Sequence, residues 1–207
     1  MLGRLKLYFT KKFESLGRAL GRILSPNFFT GMALLLGILS GVIYGNILTK
    51  VFNVEFLNLN NRVAVLYGAV ILFISGIFDG LDGLVARSLG KASKRGAFYD
   101  SLCDRIVDAC VFFGLAYASY ITWELAFIAT ILSQWISYVR SRGESLGIEM
   151  SGIGLMERQE RVLYIILLSF LYYLVGSTYI FHYGVLLLAI LLALTFLYRT
   201  VYVIKKL

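Results

Sequence analysis

Five aspartates, Asp79, Asp82, Asp100, Asp104 and Asp108, are gathered in one short stretch of a chain with only 12 acidic residues. On a helix advancing about 100° per residue, Asp79, Asp82, Gly83 and Ala86 share one stripe, with Arg87 at its edge. Gly96, Asp100, Asp104 and Asp108 step along another stripe at intervals of four. Carboxylates at close range repel, so four of them need protons, Lys or Arg partners, or divalent cations. An all-oxygen ligand set suits a hard ion such as Mg²⁺ or Mn²⁺ rather than zinc. Two such ions would neutralise four carboxylates and leave positions open for phosphate oxygens. The same spacing also fits a proton or cation pathway, or acids paired with Arg87, Lys94 and Arg105. Gly83 and Gly96, beside the acids, would let a bulky ligand approach the backbone. Gly37, Gly41 and Gly45 form a similar small-residue stripe that needs no chemistry beyond helix packing.

The elements that hold these acids must lie in a membrane. The chain has 207 residues, 59% hydrophobic and 15% charged, with a mean hydropathy of +0.79. A soluble domain is about 45–50% apolar and about 25% charged, so this chain cannot clothe a water-soluble globule. Apolar runs at 27–49, 63–86, 96–120, 122–142, 160–177 and 179–203 are each long enough to cross about 30 Å of hydrocarbon as a helix. Two adjacent spans joined by a short loop pack antiparallel, so the acidic stripes of the second and third can face each other. Residues 1–25 mix Leu5, Leu7, Phe9, Phe13, Leu16, Leu20 and Ile23 with Arg4, Lys6, Lys11, Lys12, Arg18 and Arg22, as an amphipathic helix on a membrane surface does. No cleavage site follows, so this is not read as a signal peptide. The expected architecture is therefore an all-α integral membrane protein: an interfacial helix over 1–25 and a six-helix membrane domain over 26–207.

Charge sets the orientation. Of 20 Lys and Arg, only Lys50 and Arg62 fall on one side of a six-span arrangement. The other eighteen share the opposite side, which the positive-inside rule makes cytoplasmic, with both termini and the acids. The net charge of +8 is then read as attraction to anionic headgroups or phosphate-bearing substrates, not to nucleic acid.

Asp79-Gly-Leu-Asp82-Gly83-Leu-Val-Ala86-Arg87, then Gly96, Asp100 and Asp104 at fixed spacing, resembles without a departure the signature of the CDP-alcohol phosphotransferases. The resemblance covers most of the chain. It implies transfer of a phosphate-linked alcohol from a CDP-alcohol to an acceptor hydroxyl, with release of CMP. It implies that Asp79, Asp82, Asp100 and Asp104 hold two divalent cations, Mg²⁺ or Mn²⁺, and that Asp104 is the general base. Arg87 would clamp phosphate with its planar fork, and Gly83, Ala86 and Gly96 would border the nucleotide. Ser25-Pro26-Asn27-Phe-Phe-Thr30 resembles the family's Thr-Pro-Asn-x-x-Thr, which would bring Asn27 and Thr30 to the nucleotide, with Ser93 as a further contact. Ser-Pro-Asn is also how an ordinary helix begins. The family's members form homodimers, and a homodimer is expected here.

Ser137-Tyr138-Val-Arg140-Ser-Arg142-Gly-Glu144 and Glu157-Arg158-Gln-Glu160-Arg161 resemble the inositol-phosphate-using branch, which includes phosphatidylinositol-phosphate and archaetidylinositol-phosphate synthases. That branch carries Ser-Tyr-x-Lys-Ala-Arg-Ala-Glu followed by Glu-Arg-x-Glu-Arg; here Arg140 replaces Lys, Ser141 and Gly143 replace Ala, and Gln159 replaces Pro. An acceptor bearing a phosphate needs several cations beside the metals, and Arg140, Arg158, Arg161 and Arg199 could supply them. The expected reaction moves a diacylglycerol- or archaeol-phosphate group from a CDP-lipid to inositol phosphate. The alternatives are glycerol phosphate or serine as acceptor, a CDP-inositol donor, or, much further off, cation transport. Cys103 and Cys110, seven residues apart and about 10.5 Å along one helix, are too distant for a disulfide. Trp123, Tyr179, His182 and Tyr183 fit an interfacial belt at the far end.

Overall fold

The structure is a computed structural model describing residues 13–52 and 60–207, and helices are the only regular elements among them. In chain order they are α1 (Glu14–Ile23), α2 (Pro26–Tyr44), α3 (Ile47–Phe52), α4 (Asn61–Ser88), α5 (Lys94–Tyr117), α6 (Trp123–Ser145), α7 (Arg158–Val175) and α8 (Tyr179–Lys206). The six long helices coincide with the six apolar runs to within a few residues. By length and composition α2, α4 and α8 are apolar enough to cross a membrane. Polar residues in α5, α6 and α7, among them the acids and arginines of interest, lower their hydropathy. Residues 1–12 of the expected amphipathic helix lie outside the described residues; α1 is its described part, with Leu16 and Ile23 exposed.

Local chemistry sets the helix ends. Asn60, Ser93 and Thr122 cap α4, α5 and α6 by accepting from the N–H groups of Arg62, Gly96 and Leu125, which satisfies donors the first turn leaves unpaired. The Glu157 N–H donates to the Glu160 carboxylate at 2.6 Å to open α7. The first apolar run was expected to continue to 49, but α2 stops at Tyr44. Asn46 takes a positive φ, which breaks the helical path and starts the short α3. Gly90, also at positive φ, lets the Lys91 N–H reach back to Ala86 O at 2.8 Å and close α4.

α2 is the central post. Both α4 and α5 pack along it, α7 packs on α4, α6 on α5, and α8 on α6 and α7. Glycine makes the α2–α5 contact possible: a Cβ on Gly37 would strike Val107, one on Gly41 the Cys110 carbonyl, and one on Gly114 the Gly41 carbonyl. The small-residue stripe is thus a packing surface. The expectation that α4 and α5 pack directly is corrected, because they make little contact along their length and sit side by side on α2. Polar bonds tie the buried seams: Ser40 donates to Gly68 O, Ser75 to Ala33 O, and the Tyr44 and Ser169 hydroxyls lie 2.7 Å apart. Cys103 and Cys110 are free thiols.

Candidate active site

Because the long helices alternate in direction, the start of α2, the end of α4, the start of α5, the end of α6, the start of α7 and the end of α8 meet at one end of the bundle. Asp79 on α4 and Asp100 and Asp104 on α5 each place a carboxylate oxygen within 4.8 Å of the others. The gap between α4 and α5 is what these side chains span. Asp82 lies on the same stripe of α4 but outside this group. It is buried and accepts a 2.7 Å hydrogen bond from Thr30 Oγ1 on α2.

Two arginines of α7 reach these acids and the neighbouring Asp108. Arg158 Nη1 lies 3.1 Å from Asp79 Oδ2 and 2.8 Å from Asp104 Oδ1, and its Nε is 3.8 Å from Asp108 Oδ1. Arg161 Nη2 donates to Asp108 Oδ2 at 2.7 Å. Pairing of the acids with Arg87, Lys94 and Arg105 had been an open alternative. For Asp79 and Asp104 the paired cation is Arg158; Arg105 donates to the Ser101 carbonyl, and the Arg87 guanidinium folds over Gly83, where a Cβ would fall 2.9 Å from its Nη1. Gly83 thus makes room for Arg87.

The other candidate residues are placed as follows. Asn27 is exposed in the first turn of α2, and Ala86 is half-buried beside Arg87. Ser93 Oγ accepts from the Gly96 N–H, and a Cβ on Gly96 would come within 3.3 Å of that oxygen. Arg140 Nε turns to Glu144 on its own helix at 2.9 Å. Arg199 is buried; it donates to Ile153 O at 2.6 Å and Ile136 O at 3.2 Å, and its Nη2 lies 3.7 Å from Glu157. It therefore pins the loop before α7 to α6 and α8. Met150 of that loop rests on Gly143, where a Cβ would meet its sulfur at 3.0 Å. That contact accounts for a glycine where the resembling branch has alanine.

The Arg158 bridge between the acids was missed from the sequence, although the Glu157-to-Arg161 run had marked α7 as carrying cations. The donor set fits a hard divalent ion: it is all oxygen, it comes from two helices, and buried Asp104 Oδ1 accepts no hydrogen bond despite its ion pair.

The fold and the site define a multi-pass membrane protein with an acidic cluster and opposed arginines at one end of a helical bundle. Residues 23–197 match the sequence profile of the CDP-alcohol phosphatidyltransferases, and the chain belongs to that family. It is 34% identical, over all of its length and 97% of the relative's, to the archaetidylinositol phosphate synthase of Pyrococcus horikoshii. The crystal structure of Mycobacterium tuberculosis phosphatidylinositol phosphate synthase with CDP-DAG bound superposes with a TM-score of 0.73 at 25% identity, covering 92% of each chain. A crystal structure of the same synthase with manganese and citrate has a TM-score of 0.73 at 26% identity, covering 91% of this chain and 87% of that one.

Proposed function

We propose that this enzyme transfers a diacylglycerol- or archaeol-phosphate group from a CDP-lipid to inositol phosphate and releases CMP. The observation that carries the proposal is the juxtaposition of the Asp79–Asp100–Asp104 group with Arg158 and Arg161. A site for hard cations there adjoins cations able to receive an acceptor's phosphate.

Asp79, Asp82, Asp100 and Asp104 would hold two divalent cations, Mg²⁺ or Mn²⁺. When bound, such ions neutralise phosphate charge that builds on the donor and on the departing CMP. Arg87 clamps a donor phosphate with its planar fork. Gly83, Ala86 and Gly96 leave room for the nucleotide, with Asn27, Thr30 and Ser93 at its edge. Asp104 takes the proton from the attacking acceptor hydroxyl, which must be held within hydrogen-bond reach of its carboxylate. Arg158 and Arg161 hold the acceptor's phosphate, with Arg140 and Arg199 adding positive potential from the flank. In this reading the six long helices all span the bilayer, and residues 1–25 lie along its surface beside the membrane domain of residues 26–207. The termini and site are cytoplasmic, and the working unit is a homodimer.

The test is CMP release by purified protein with a CDP-lipid, Mg²⁺ or Mn²⁺, and inositol phosphate, inositol, glycerol phosphate or serine in turn. Release that needs the metal and is fastest with inositol phosphate is expected. Faster turnover with serine or glycerol phosphate overturns the acceptor, and turnover that survives chelation overturns the metal site.

A further inference from the structure

Asp108 is the acid that neither the family signature nor the three-carboxylate group absorbs. It sits one turn beyond Asp104 on α5, buried in a pocket walled by Leu72, Phe112 and Ile165. Its Oδ2 accepts from Arg161 Nη2 at 2.7 Å, and its Oδ1 is 3.8 Å from Arg158 Nε. One carboxylate thus draws both α7 arginines toward α5. With its Nε side beside Asp108, Arg158 directs Nη1 at Asp79 and Asp104. Arginine side chains have many rotamers and bind anions well only when their fork is pre-aimed. The Nε atoms of Arg158 and Arg161 are buried without a hydrogen-bond partner, so Arg158 is held through its three carboxylate contacts and Arg161 through Asp108.

We propose that Asp108 is a positioning residue for the acceptor. It fixes Arg161, and Arg158 beside it, so that their remaining donors meet a phosphate carried by the acceptor. The inference rests on the phosphate-bearing acceptor of the proposed function. Asp108 itself binds neither metal nor substrate.

The experiment is a cycle of four proteins: wild type, Asp108→Asn, Arg161→Gln and the double variant. In the double variant the two amides can still bond each other, which protects folding. Acceptor KM and kcat are read by CMP release with a CDP-lipid and Mn²⁺. Mn²⁺ affinity is read separately by electron paramagnetic resonance without substrates. A charge-assisted hydrogen bond that aims an arginine is worth about one factor of ten or more, so Asp108→Asn should raise inositol phosphate KM about tenfold. Its kcat should stay within about threefold and its Mn²⁺ affinity within about twofold. In the Arg161→Gln background the same change should move KM clearly less than it does in wild type, because only the longer Arg158 contact is left to lose. Unchanged KM with lower kcat and lower melting temperature makes Asp108 scaffold alone and overturns the proposal. Weakened Mn²⁺ binding or additive KM effects overturn it too. If wild type uses glycerol phosphate instead, the acceptor reading fails while the KM coupling, measured with that acceptor, still supports the role of Asp108. If wild type uses only serine, both fail.

Discussion

Thr30 on α2 and Asp82 on α4 are joined by a 2.7 Å hydrogen bond, so the start of the first long helix is tied to the acidic stripe of the next one. Thr30→Val leaves the buried carboxylate without that donor. It should cost about 1–3 kcal/mol of stability and raise the KM for the CDP-lipid. Thr30→Ser should behave like wild type in both. Melting in detergent and donor kinetics check this, and a Val variant with wild-type values for both removes the bond from the site's design.

Asp104→Asn keeps the shape of the side chain but cannot accept the acceptor's proton. CMP release should fall by about 10²–10⁴-fold while the protein still inserts in the membrane. Loss of less than tenfold, normalised to inserted protein, assigns the proton transfer elsewhere.

Arg199 holds two backbone carbonyls, Ile153 O and Ile136 O, which a lysine with its single ammonium cannot reproduce in the same fork. Arg199→Lys should loosen residues 146–157. Limited proteolysis should then cut in that loop at least several-fold faster, with acceptor KM rising because Arg158 follows directly. A cleavage rate equal to wild type would show that the loop holds without this anchor.

Gly114→Ala puts a methyl into the Gly41 carbonyl. Overpacking of this kind costs about 1–3 kcal/mol, and more where backbone blocks relaxation. The melting temperature should fall clearly, whereas Gly80→Ala, where a Cβ meets nothing, should leave it almost unchanged. Equal melting temperatures for the two variants would argue against the close α2–α5 approach.

The long helices were legible because most of the apolar runs meet a cap or a glycine at one end, as with Ser93 before α5 and Gly176 after α7. Asp79, Asp100 and Asp104 were legible for the same reason: helical periodicity fixes which side chains share a stripe. What sits between stripes was not. Direct α4–α5 packing was a fair inference from a short loop, but the glycines of α2 let that helix take the central place. Nor does periodicity reveal that Asp82 turns to Thr30, or that Arg158 reaches across to Asp104. Those contacts join residues far apart in sequence, and only the bundle's closure brings them together. The charge of Arg199 and its place at the inner end of the last span were legible, whereas its burial against carbonyls depends on the path of a loop with no periodic signal.

The backbone contact at Gly41 and Gly114 welds two helices into a single rigid plank. Thr30 rides on one of its members, and Asp100 and Asp104 on the other, so the spacing between these three is set once, at folding. The α7 arginines therefore meet a frame of fixed width, and Arg158 can reach Asp104 only because that width suits the length of its side chain.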